Sequence, residues 1–512
     1  MNLKIKASFL KAAIAVTLGL AAVVGAGALA GRAEDPGGSA SFVTPGQNTE
    51  YKDRLTSDGR GIVRHPGPLV MNRGALDRMP SFDQSKSVSF QVDLRGFDLR
   101  ALDLTGRLPD LFMADFDVAT RWPATLPEDF VHTRILELGK SPGLGIQGLH
   151  KDGITGKGVG VAVIDQGLLA DHIEYKDRLR LYEEIHCGDE TSSMHGPAVA
   201  SIAVGKRVGV APGADLYYIA ETHGTFGEGK FTFDFTHLAR SIDRILEVNA
   251  RLPEKEKIRV ISISVGWGPQ QKGYAEVTAA VEKAQKEGLF VVSSSLFATS
   301  GRQFAFHGLG REPLADPEPF RSYGPGLWWT DNFYSGRYTP APGVVTLLVP
   351  MDSRTTAGPC GAEDYAFYRA GGWSWSIPWI AGLYALACQT RPDITPELFW
   401  KTALATGDGI EFPPRKSTLS KEEVDKKVAE IVDRQMRLFD ERFGKDVAER
   451  EKAMAGLYSQ ATGKKVDKMS DAEFRAWGAS MTRDRIAGST KPVVLEKIVN
   501  PAKLIAALKG AR

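Results

Sequence analysis

The sequence predicts an α/β fold: a mostly parallel sheet with helices on both faces, plus an N-terminal extension and a helical C-terminal insertion. Two observations lead there. Residues 159–164 are an apolar run without polar alternation, as expected of a strand covered on both faces, and 216–220, 260–265 and 289–293 read as further strands. Between them, 235–249 and 274–287 repeat apolar residues at helical spacing, and this strand–helix rhythm builds parallel sheets.

With 512 residues, 43% hydrophobic and 25% charged, the chain can bury a large core in more than one folded unit. A formal net charge of +2 argues against a nucleic-acid partner, which calls for a strong basic excess. Lys4, Lys6 and Lys11 precede an uncharged stretch over 12–30 that closes on Ala28-Leu29-Ala30. Residues 1–30 therefore read as a signal peptide, and the protein as secreted or held in the cell envelope. If uncleaved, that segment is also the one expected membrane attachment.

Residues 31–150 form the extension. From 34 to 74 Gly, Pro, Ser and Asp are frequent and apolar periodicity is absent, which predicts a tether or a poorly ordered arm. Phe97-Asp98-Leu99-Arg100-Ala101 and Leu102-Asp103-Leu104-Thr105-Gly106 look like a repeated unit, too short a series for a solenoid.

The main domain is assigned to 151–412. Its opening strand ends in Asp165, and in open parallel sheets ligand chemistry collects at such carboxyl ends. Next, His195-Gly196-Pro197 opens a helix of small apolar residues that Gly205 closes. A histidine at a helix mouth can be a mere cap, and the bare pattern leaves that reading open. A further strand is expected at 344–349. Gly371-Gly372-Trp373-Ser374-Trp375-Ser376-Ile377-Pro378 then leads into a helix that Ala381, Gly382 and Ala385 allow to lie deep against its neighbours. Pro378 is expected in a first turn, where its missing N–H costs nothing. Ser374 would stand where free N–H groups favour negative charge, as an acyl-transfer nucleophile requires. A serine N-cap on a buried helix fits the same residues.

Residues 413–490 shift to charged, helical composition. Ser420 with Glu423 and Ser470 with Glu473 are capping-box pairs, and Val424, Val428, Ile431, Val432, Met436, Phe439 and Phe443 form one stripe. An inserted helical hairpin is expected, with 491–512 closing the main domain. Three cysteines do not make a disulfide framework. A Cys187–Cys360 bridge is open, and Cys388 reads as a buried core residue. No HExxH or CxxC spacing exists, so no zinc site is expected.

Asp165, His195 and Ser374, in that order, resemble the subtilisin-like serine proteases. The likeness rests on Val163-Ile164-Asp165-Gln166-Gly167, His195-Gly196-Pro197-Ala198-Val199-Ala200 and Gly372-Trp373-Ser374-Trp375-Ser376-Ile377-Pro378. Gly209-Val210-Ala211-Pro212 and Ile263-Ser264-Val265-Gly266 match the linking segments. The resemblance spans roughly 153–406 and a closing region near Asn500. It implies a three-layer subtilisin-like fold and a secreted endopeptidase acting on polypeptides through an acyl-enzyme. Ser374 would be nucleophile, His195 base and acid, and Asp165 the orienting carboxylate, with Ser264, Val265 and Gly266 pairing with substrate backbone. It implies no catalytic cofactor. Structural calcium occurs in many relatives, but no acidic loop here is diagnostic of it.

The pattern breaks at one position. Subtilisin-like enzymes place an oxyanion-binding Asn where this chain has Phe297, leaving the backbone of Ser374 as the expected donor. Ser295, Gln303 and Asn332 are candidate substitutes. The alternative that follows is a pseudoprotease, the fold kept as a peptide-binding or regulatory module. Trp373 stands where the family commonly has Thr. Trp267, Phe297, Trp373 and Trp375 could line a hydrophobic pocket or simply fill the core.

Overall fold

The computed structural model describes residues 50–83, 88–227, 230–295, 304–330, 345–413, 419–444, 446–462, 465–487 and 492–510. The expected signal peptide at 1–30, the arm before residue 50, Phe297, Gln303 and Asn332 lie outside them. An α/β architecture is present. Parallel strands Leu179–Cys187, Asp215–Ala220, Gly160–Asp165, Ile258–Ile263 and Phe290–Ser293 lie side by side in that order. The chain begins with the middle strand, adds neighbours on one side, then crosses to the other. Asp165 therefore ends the strand at the topological switch point, where loops diverge and leave a crevice.

Every residue of the Gly160–Asp165 strand is buried, because both faces of the sheet are covered. Ala162 and Ile164 pack with Ile242 and Ile245 of helix Thr236–Arg251 and with Val277 and Val281 of helix Tyr274–Lys286. Alternation turns Val161, Val163 and Asp165 to the opposite face. Helices His195–Val204 and Trp373–Thr390 pack there, against this strand and each other. A second sheet sets Phe306–Arg311 between the antiparallel Tyr323–Pro325 and the parallel Leu347–Pro350, which joins strand Val493–Ile498 at Leu348 and Ile498. The strand expected at 344–349 is thus Leu347–Pro350.

The arm expected to be loosely ordered is, from residue 50, part of the sheet. Lys52–Arg54 pairs antiparallel and Gly61–Ile62 parallel with the edge strand Leu179–Cys187. Such pairing uses backbone groups and needs no apolar periodicity, so composition could not reveal it. Side chains hold the join: Glu183 accepts from the Thr56 N–H at 2.8 Å and from Arg244 Nε at 2.8 Å. Further on, Phe116–Asp117 pairs with Tyr365–Tyr368, and the repeat-like leucines Leu99 and Leu104 enter a buried cluster with Phe116 and Phe130.

A separate compact unit contains 410–495 and Trp329–Thr330 among the described residues. Three helices, Lys421–Phe443, Val447–Thr462 and Asp471–Ala487, replace the expected hairpin. The Val424, Val428, Val432 and Met436 stripe packs on Met454, Ala455 and Phe474 within this unit. The middle helix escaped notice because it gives that core little more than Met454 and Ala455, too few to make a stripe. Both expected capping pairs form, Ser420 with Glu423 and Ser470 with Glu473. Cys187, Cys360 and Cys388 are all free thiols, so the Cys187–Cys360 bridge is absent.

Candidate active site

His195 is the first residue of its helix, and its imidazole meets the end of the neighbouring strand: Nδ1 lies 2.6 Å from Asp165 Oδ1. Gly196 makes this approach possible. A Cβ there would sit 2.6 Å from the Gln166 carbonyl oxygen and 2.6 Å from Tyr218 Oη. Asp165 is 1% exposed, and its Oδ1 also accepts the Gln166 N–H at 2.9 Å. Its Oδ2 is buried without a hydrogen-bond partner.

Ser374 arrives from the other side. Gly372, at φ 62°, turns the chain into helix Trp373–Thr390, whose second residue is Ser374. Pro378 lies inside this helix, in its second turn and not in the first as expected. Having no N–H, it leaves the carbonyl four residues back, that of Ser374, without a helical donor. Ser264 Oγ donates to that carbonyl at 3.1 Å. In return, Ser374 Oγ donates to the Ser264 carbonyl at 3.4 Å. Ser264 follows Ile263, which is in register with Ile164, so Ser264 leaves the sheet beside Asp165. His195 meets Trp375, the neighbour of Ser374, with ring centroids 5.5 Å apart.

Asp165, His195 and Ser374 thus gather at one rim of the sheet. Asp165 and His195 are hydrogen-bonded; Ser374 is bonded to Ser264 and not to His195. Ser264, Val265 and Gly266 are half-buried just past their strand, and the Val265 carbonyl already accepts the Ser294 N–H at 3.2 Å. Trp267 and Trp375 are buried core rings, whereas Trp373 is half-buried against Phe306 and His307.

Residues that sequence reasoning passed over surround this rim. Asp189 Oδ2 accepts the Gly167 N–H at 2.6 Å, and burial pushes its carboxyl up to about 6, with Glu184 and Asp165 adding to the rise. Glu221 donates its N–H to the Asp165 carbonyl at 2.7 Å while its carboxylate holds His223 Nδ1. Burial works against the His223 cation, but the Glu221 carboxylate outweighs it and raises the imidazole. No local pattern marks Asp189 against Gly167, since loops leaving different strands bring them together, whereas Glu221 and His223 stand two residues apart on one loop. Among the described residues no group of His, Cys, Asp and Glu side chains could hold a metal ion.

The subtilase family model (Peptidase_S8) matches residues 156–296. A solved structure of the prenylagaramide maturation protease PagA is 14% identical over 72% of this chain and 99% of that one, with a TM-score of 0.37. A cold-adapted subtilisin-like serine proteinase is 16% identical over 49% of this chain and 83% of its own, with a TM-score of 0.31. The family match encloses Asp165, His195 and the Ser264–Gly266 segment and stops short of Ser374, so the similarity to the subtilase family is one of residues 156–296.

Proposed function

We propose that this chain is a serine endopeptidase that cleaves polypeptides with Ser374 as nucleophile, His195 as base and Asp165 as orienting carboxylate. The observation that carries the reading is the 2.6 Å contact of His195 Nδ1 with buried Asp165, made at the rim where Ser374 enters. Nδ1 bound to a carboxylate carries the proton, which leaves Nε2 as the free base. Rotation of Ser374 about χ1 takes Oγ from the Ser264 carbonyl toward Nε2. Oγ then attacks the scissile carbonyl carbon, its proton passes to Nε2, and the carbonyl electron pair moves onto oxygen. Collapse of that intermediate expels the amine, which takes the proton from Nε2. Water repeats the cycle on the ester and frees Ser374. This chemistry calls on no cofactor. The segment Ser264–Gly266 would align substrate backbone by strand addition. Secretion through cleavage after Ala30 belongs to the same proposal, and N-terminal sequencing of the mature protein reads it directly.

A fluorophosphonate probe tests the assignment: the wild type is expected to label and Ser374→Ala to lose both labelling and peptide hydrolysis. A second reading, a peptide-binding pseudoprotease, is favoured by the resting bond of Ser374 to Ser264 and by Phe297 at the Asn position. A folded wild type that binds peptide yet neither labels nor hydrolyses it would establish that alternative.

A further inference from the structure

Resting on the peptidase reading, we propose that the indole N–H of Trp328 is the second oxyanion donor, acting beside the backbone N–H of Ser374. Attack by Ser374 leaves a negative oxygen that needs preorganised donors. The Ser374 N–H qualifies, because first-turn amides have no acceptor within their own helix. Phe297 offers no side-chain donor. Ser295 is already committed: its Oγ accepts the Trp267 N–H at 2.8 Å and donates to the Trp267 carbonyl at 3.0 Å.

Trp328 is in the right place and has a donor to spare. Nε1 lies 3.7 Å and Cε2 3.9 Å from the point where a Cβ on Gly372 would stand, at the turn that delivers Ser374. That N–H is buried and has no hydrogen-bond partner among the described residues. Buried indole N–H groups ordinarily find an acceptor, so one left open beside a nucleophile is suited to an acceptor that exists only transiently. The placement is also held by a buried carboxylate. Asp352 Oδ2 accepts the N–H of Leu327, next to Trp328, at 2.7 Å, and its Oδ1 accepts the N–H of Gly371, next to Gly372, at 3.1 Å. One side chain therefore fixes the Trp328 backbone relative to the Ser374 turn. Other unpartnered indoles have other surroundings. Trp375 is wedged between His195 and Tyr368, Trp267 belongs to the core under the sheet, and Trp400 packs among Phe290, Phe304 and Phe399.

Trp328→Phe keeps an aromatic ring and deletes the N–H. Loss of the Asn donor in subtilisin costs roughly 10²–10³ in kcat. The variant is expected to lose about 10²-fold in kcat on a peptide amide with KM nearly unchanged. It should also weaken a peptide aldehyde, whose Ser374 hemiacetal presents the same oxygen, while sparing a non-reactive peptide of the same sequence. An active wild type whose Trp328→Phe form keeps both kcat and aldehyde affinity within about threefold overturns the assignment and leaves the peptidase reading standing. A wild type that neither hydrolyses peptide nor labels at Ser374 ends both. Should the variant misfold, indole ¹⁵N spectra of the wild type decide: an indole proton moving downfield on aldehyde binding supports the donor, and none moving overturns it.

Discussion

Gly196→Ala should damage the site more than the fold. The added Cβ would fall 2.6 Å from the Gln166 carbonyl oxygen and from Tyr218 Oη, and 3.0 Å from the Gly167 carbonyl oxygen. Ordinary contact begins at 3.4 Å, so the His195 helix and the Asp165–Gly167 turn must separate by about 0.8 Å. The obstacles are mostly backbone, which cannot rotate aside. Overpacking of this kind costs about 1–3 kcal/mol of stability. The same displacement stretches the 2.6 Å His195–Asp165 contact, and misplacing a catalytic group by roughly 1 Å costs on the order of 10² in rate. Gly382→Ala is the matched control. Its Cβ would meet Val210 Cβ at 2.7 Å and the Ala203 carbonyl oxygen at 2.8 Å, an equal crowding about two turns beyond Ser374. Urea melts are expected to show similar losses for the two variants. For kcat/KM on a peptide amide, Gly196→Ala should fall about 10²-fold and Gly382→Ala less than about tenfold. Equal losses of activity, or full activity in Gly196→Ala, would refute the claim that this glycine sets the His195–Asp165 distance.

Two further outcomes follow from the extension and its packing. Arg244→Ala strips Nε and Nη2 contacts of 2.8 and 2.9 Å from fully buried Glu183 and should cost about 3 kcal/mol in urea melts, since only Thr56 still faces the carboxylate. Asp115 sets a pH dependence: burial pushes its carboxyl up to about 7, with the Asp93 charge adding to the rise and Arg95 opposing it. The folded protein then keeps a proton that the unfolded chain releases above roughly pH 4, so this group's stabilisation is lost as pH climbs from about 4 to 7 and stays lost above. Asp115→Asn retains the acceptor for the Arg369 N–H, which Asp115 Oδ1 binds at 2.7 Å. It should flatten the thermal stability profile across that window, by at most on the order of 4 kcal/mol. A parallel profile for variant and wild type would remove Asp115 from the account.

What the sequence disclosed about this rim was whatever has a local cause. A strand covered on both faces announces its end at Asp165, a run of small residues announces the helix behind His195, and paired glycines announce the turn before Ser374. Contacts made by distant parts of the chain leave no such mark. Strand Lys52–Arg54 joins the sheet through its backbone, Asp189 is drawn under Gly167 by a loop, and Trp328 reaches Gly372 through Asp352. The same limit explains the resting state of Ser374. Pro378 could be read from the sequence, but its consequence depends on a partner more than a hundred residues away: the Ser374 carbonyl, deprived of a helical N–H, is taken up by Ser264 Oγ. That bond brings the Ser264 carbonyl within 3.4 Å of Ser374 Oγ, so the residue that anchors the start of the helix also occupies the hydroxyl. On the proposed peptidase reading, substrate backbone aligned along Ser264–Gly266 would arrive at the same place, and release of Ser374 toward His195 would follow from binding without a separate hinge.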